Sequence, residues 1–167
     1  MGFGDASIFL KVVLILLIVA FVIQILGVAL PYWYAEDFGS ASYNGGLFRS
    51  CNEVLNKKKC SSIKNPADWF AATQAFELIG LFLIIGALVL TIVVVFVKND
   101  MKILKLVAWI LSFCAFGFII IGIIIYGAEA THLLKEYSGA FAITIIAGLV
   151  CLAAGVLGLL DWMGKSV

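Results

Sequence analysis

Few side chains in this sequence could do chemistry, and their spacing narrows what that chemistry is. Cys51 and Cys60 are separated by eight residues in a polar stretch. So small a stretch cannot build much core of its own, so a disulfide is the expected staple, with two free thiols as the alternative. Lys57, Lys58 and Lys59 lie between the two cysteines. They read first as a solvated turn that keeps a sheet edge polar. The sharper reading is a contact for acidic headgroups, glycans or a partner. Glu77 is the one acidic or basic side chain that could lie inside an apolar span, and an intramembrane charge is a functional hypothesis by default. From Lys98 back to Glu77 is 21 residues, about 31 Å of helix at about 1.5 Å per residue. That places Glu77 near the boundary of the hydrocarbon, where a carboxylate hydrogen-bonded to Gln74 or to a loop residue is expected. A channel or proton relay normally shows several such groups. His132 is the single histidine, and it stands without a cluster of ligands, so no metal site is expected. Ser, His and Asp form no triad pattern. The P-loop, the dinucleotide fingerprint and H-E-x-x-H are absent. The reading is a protein with no catalytic residue, no cofactor and no small-molecule substrate, and not an enzyme.

The elements that must position these residues are apolar. Of 167 residues, 64% are hydrophobic and 13% charged, against about half and a quarter in a soluble domain. Too few charged groups remain to cover a water-facing surface. The net charge is +1, from 11 Lys plus Arg and 10 Asp plus Glu. No basic face is available for nucleic acid, and disorder would need low hydrophobicity.

Four stretches lack charge: Val12 to Ala35, Leu78 to Val97, Leu106 to Ala128 and Tyr137 to Leu160, with 24, 20, 23 and 24 residues. About 20 helical residues cross a hydrocarbon core of about 30 Å. In lipid the backbone must bond to itself, so each stretch reads as a helix. The expected helices run about 8–31, 66–97, 103–127 and 138–161, with a loop domain over about 32–65, all within one domain. The first stretch is too long for the core of a cleaved signal peptide and is expected to stay as a helix. Pro31 helps end it. Asn65 is expected to cap helix 2, with Pro66 and Asp68 in its first turn. In helix 4, Ala147, Cys151 and Gly155 recur every four residues, and Ala154 with Gly158 forms another small pair. Such a face permits close helix approach, within the bundle by preference, or to another chain. Cys114 and Cys151 read as small buried apolar residues.

Four spans put both ends of the chain on one side. Lysine and arginine counts on the two sides are five and six, so charge does not orient the protein. The cysteines do: a disulfide persists on the oxidising side. The long loop is therefore expected outside the cell, with both termini cytoplasmic, in the plasma membrane. Trp and Tyr at the span ends mark the interfaces.

The long loop carries Trp33, then Gly46, Leu47 and Phe48, then Cys51 and Cys60, and helix 2 opens on Trp69-Phe70-Ala71-Ala72-Thr73-Gln74-Ala75. This order resembles the first-loop signature of the claudin superfamily, with Phe48 where Trp is usual. Gln74, where claudins usually carry Arg, is closer to the peripheral myelin, epithelial membrane and lens fibre membrane protein branch. Asn44, Asn52, Asn56 and Asn65 form no glycosylation sequon, unlike that branch. Lys165-Ser166-Val167 departs from the PDZ-binding endings of claudins.

The resemblance implies a membrane all-α four-helix bundle, left-handed, capped by a small extracellular antiparallel β-sheet. It implies that Trp33, Gly46, Leu47 and Phe48 seat the sheet and that Cys51 and Cys60 clamp neighbouring strands. Partners would be the lipid bilayer and other membrane proteins, by self-association or with a larger channel or receptor. Three functions follow in order. The first is cell–cell or membrane–membrane contact through the loop domain. The second is an auxiliary subunit, which would present a helix face such as that of helix 4. The third is a paracellular barrier or channel using Arg49, Glu53 and the three lysines, against which the short loop argues.

Overall fold

A computed structural model describes residues 6–37, 39, 41–54, 57–97, 101–130 and 137–164. His132 and Lys165 to Val167 lie outside the described residues. The chain order is α1 (Ile8–Ala29), β1 (Tyr34–Asp37), β2 (Ala41–Gly45), β3 (Arg49–Val54), β4 (Lys57–Ser62), α2 (Asp68–Phe96), α3 (Lys102–Ala130) and α4 (Gly139–Trp162). All four helices are long and apolar enough to cross a membrane. Each packs on its sequence neighbours, and α4 closes the ring on α1.

The helices are apolar all round, which suits an element with protein on one side and lipid on the other. Phe82, Ile103 and Ile124 point outward. Small and branched residues point inward: Ala20, Ile84, Ala115, Ile119 and Cys151 make the central layer. Cys151 is buried as expected, but Cys114 is exposed on the outer face of α3. The helical period turns position 114 outward between buried Ser112 and Ala115.

The small face of α4 is spent inside the bundle. Ala147, Cys151, Ala154 and Gly155 are all buried. Gly155 lies against the Phe113 ring of α3, and Ala154 packs with Val13 and Leu17 of α1. That surface is not available to a second chain.

At the pole away from the sheet, α1, α3 and α4 are tied by one carboxylate. Ser7 accepts from the Leu10 N–H as the α1 cap and donates its hydroxyl to Asp161. Lys105 pairs with the other Asp161 oxygen at 2.8 Å. Asp161, read only as the end of a span, is buried.

The start of α2 differs from expectation. Its cap position is Ala67, without a side-chain hydrogen bond. Asn65 instead has φ +52°, so it turns the chain into the helix. A short polar side chain tolerates that left-handed conformation better than most.

Candidate interaction site

The four strands form one antiparallel meander in the order β1-β2-β3-β4. Its seat on the bundle begins with Pro31. The Gly27 carbonyl would normally accept from the N–H four residues on, and proline has none. The Trp33 indole N–H fills that gap at 2.7 Å. Trp33 is fully buried, edge-on to Tyr126 at 4.8 Å and to Phe141 at 5.7 Å between centroids. Its backbone is used as well. The Trp33 N–H donates to Gly45 at 2.7 Å, and its carbonyl accepts from Ser138 at 3.0 Å.

The rest of the motif divides. Leu47 is fully buried, and its carbonyl accepts from Gln74 Nε2 at 2.5 Å. Gly46 passes so close to the end of α1 that a Cβ would meet the Leu30 carbonyl oxygen and, at 2.6 Å, Pro31 Cα. Only glycine fits that approach. Phe48 does not share in the seat: it is 37% exposed. The turn between β2 and β3 sends Leu47 inward and leaves its neighbour outside.

Cys51 and Cys60 face each other across β3 and β4 and are joined by a disulfide. Closing a loop of this length contributes about 2–3 kcal/mol in the chain-entropy account. A Cys51→Ser, Cys60→Ser chain is therefore expected to keep its helices but lose protection of the sheet. Trypsin cutting at Lys57 to Lys59 is the readout. Unchanged resistance would show that the sheet holds without the bridge.

The two edges of the sheet differ. β1 is bridged by Tyr137, which precedes α4. β4 is exposed at every residue from Lys57 to Ser62. In the strand register Lys58 stands opposite Glu53, and Lys57 and Lys59 stand opposite Val54 and Asn52. Side chains alternate across a sheet, so Lys58 faces one way and its two neighbours the other. Lys58 Nζ lies 3.4 Å from the Tyr32 hydroxyl and over its ring. Lys57 and Lys59 lie on the opposite face. Arg49 is exposed on β3.

Glu77 does not have the partner expected. It is fully buried in the bundle, and its Oε2 accepts from Gln24 Nε2 of α1 at 2.7 Å. Gln74, its expected partner, is engaged with Leu47. The cause is facing: Glu77 sits on the inward stripe of α2 with Thr73 and Gly80. Gly122 of α3 makes the room: a Cβ there would lie 2.6 Å from Glu77 Oε1. Gln24 Oε1 and Glu77 Oε1 have no partner among the described residues. Gln24 carries no charge, so a charge-free span does not reveal it; its amide, one of the few polar side chains in α1, is the signal that does.

A bundle closed by α4 and capped at one pole by a disulfide-clamped meander is a distinctive combination. A family model described as PMP-22/EMP/MP20/Claudin matches residues 6–158. The chain belongs to the PMP-22/EMP/MP20/Claudin family. The match covers α1, the sheet, α2, α3 and most of α4. No curated protein matches the chain closely enough to count as a relative. Membership in this family supports a structural role at junctions or membrane contacts. Among the described residues, no three of His, Cys, Asp and Glu gather as they would to hold a metal.

Proposed function

We propose that this family member organises contacts between membranes, or between proteins of one membrane, through the free β4 edge of its sheet. The observation that carries this reading is the contrast between a rigid mount and an open edge. Trp33, Leu47 and the Gly46 approach fix the sheet to the bundle, and β4 is left exposed throughout. An open strand edge is a template for pairing, and lysines restrict which partners can approach. Acidic partners fit. The disulfide supports an extracellular sheet, since such bonds persist on the oxidising side, and hence cytoplasmic ends in the plasma membrane. Gln74 supports the peripheral myelin and epithelial membrane protein branch. The auxiliary-subunit reading would draw on the small face of α4, which α1 and α3 cover.

The test is a chain with Lys57→Glu, Lys58→Glu and Lys59→Glu, expressed in cells that lack it. Enrichment at contacts between expressing cells is expected to fall several-fold at equal surface level. Unchanged enrichment would remove the β4 edge from the mechanism.

A further inference from the structure

Between the sheet and the start of α2 lies an open cleft of about 460 Å³. That is within the range of small-molecule sites, about 300–1,000 Å³. One wall is Tyr34 and Tyr43, with ring centroids 5.7 Å apart. The other is Trp69 and Phe70, at 5.3 Å. Tyr126 joins the second wall, 6.0 Å from Trp69. Lys64 lies on the rim and is exposed. The Tyr126 hydroxyl is buried without a hydrogen-bond partner among the described residues.

The chemistry of this lining is selective. Three partly exposed rings, Tyr34, Tyr43 and Trp69, line the space, with Phe70 and Tyr126 buried behind them. Such a box attracts a cation, and a quaternary ammonium best of all, since it carries charge but needs no hydrogen bond. Burial and the hydrogen bond to Tyr43 push the Tyr34 phenol above its usual value, so that ring stays neutral. An anion alone would meet the ring faces unfavourably, but Lys64 at the rim suits one tethered beside the cation. The cleft lies where the sheet meets the start of α2, and Trp and Tyr of the kind that line it concentrate at membrane interfaces.

We propose that this cleft binds phosphocholine, with the trimethylammonium group among the rings of Tyr34, Tyr43 and Trp69 and the phosphate at Lys64. The same chemistry is offered by a choline lipid in the bilayer and by free phosphocholine in solution.

The test is native mass spectrometry of the full chain from detergent micelles. The micelles hold equal amounts of phosphatidylcholine and phosphatidylethanolamine with identical acyl chains. The choline lipid is expected to be retained about tenfold over the ethanolamine lipid, because the primary ammonium must give up hydrogen bonds to water that ring faces do not replace. Tyr43→Leu, on the sheet wall, and Trp69→Leu, on the helix wall, are each expected to abolish that preference. Elution as a single species shows that each variant is folded. Lys64→Ala is expected to weaken both lipids equally, because both carry the phosphate. Displacement of the lipid by excess soluble phosphocholine would support the site and show that the headgroup alone suffices. A choline preference that soluble phosphocholine cannot displace would support it with the bilayer lipid as ligand. Equal retention of the two lipids would overturn the proposal, as would a preference surviving both ring substitutions.

Discussion

Gln24→Leu is expected to destabilise the protein by about 3 kcal/mol, because it removes one half of a buried polar pair and keeps the other. Glu77 would keep its burial and lose its one hydrogen bond within the bundle, the 2.7 Å contact to Gln24 Nε2. Lipid offers no replacement. The informative experiment is the double variant. Gln24→Leu with Glu77→Met replaces both partners by apolar groups of similar volume, and it is expected to lie within about 1 kcal/mol of the parent. Glu77→Gln alone leaves an amide facing an amide and is expected to cost about 1 kcal/mol or less. The measurement is thermal unfolding in one detergent for the parent, Gln24→Leu, Glu77→Met and the double variant, read as a double-mutant cycle, with Glu77→Gln beside them. If the losses from Gln24→Leu and Glu77→Met simply add, the two side chains do not act as a pair, and the hydrogen bond contributes nothing specific.

The second large effect is expected at Trp33. Trp33→Ala opens a cavity among Tyr126, Phe141 and Leu47 and strips the Gly27 carbonyl of its donor. Large-to-small changes of this kind cost about 3–5 kcal/mol in soluble cores. Trp33→Phe keeps most of the ring packing and loses only the N–H, so about 1–2 kcal/mol is expected. The loss should be local: the sheet detaches from the pole before the helices separate. Limited proteolysis of the loop domain, followed alongside helical content by circular dichroism, distinguishes this from global unfolding. Simultaneous loss of both signals in Trp33→Ala would sink the idea of a separable seat.

The gross architecture was legible because lipid simplifies the rules. A charge-free run of about 20 residues has few options besides a helix, and Cys51 and Cys60 have an obvious use for each other. What could not be read was depth and facing. Counting from Lys98 assigns Glu77 a depth but not a facing, and α2 is 29 residues long, about 43 Å. With more helix than the hydrocarbon needs, the count alone does not fix that depth either. Cys114 and Phe48 failed for a related reason. Composition says that a residue lies in a span or a motif, but only the packed helix or turn says which way it points. Asp161 and Gln24 were missed because a polar residue that finds a partner from a distant element leaves no local trace. Gln24 and Glu77 are 53 positions apart, and Ser7 and Asp161 are 154 apart.

That separation has a consequence for how the protein enters the membrane. Helices emerge from the ribosome in order, so α1 arrives with Gln24 unmatched and α2 follows with Glu77. Each polar side chain is unfavourable against lipid alone, a carboxylate most of all. The hydrogen bond between them makes a hairpin of α1 and α2 the natural unit of insertion. The second hairpin then has its own closing step, since Lys105 of α3 waits for Asp161 at the end of α4 and α4 must find Ser7 at the start of α1. The ring thus has one polar tie near the sheet pole, between α1 and α2, and another at the opposite pole, where α1, α3 and α4 meet.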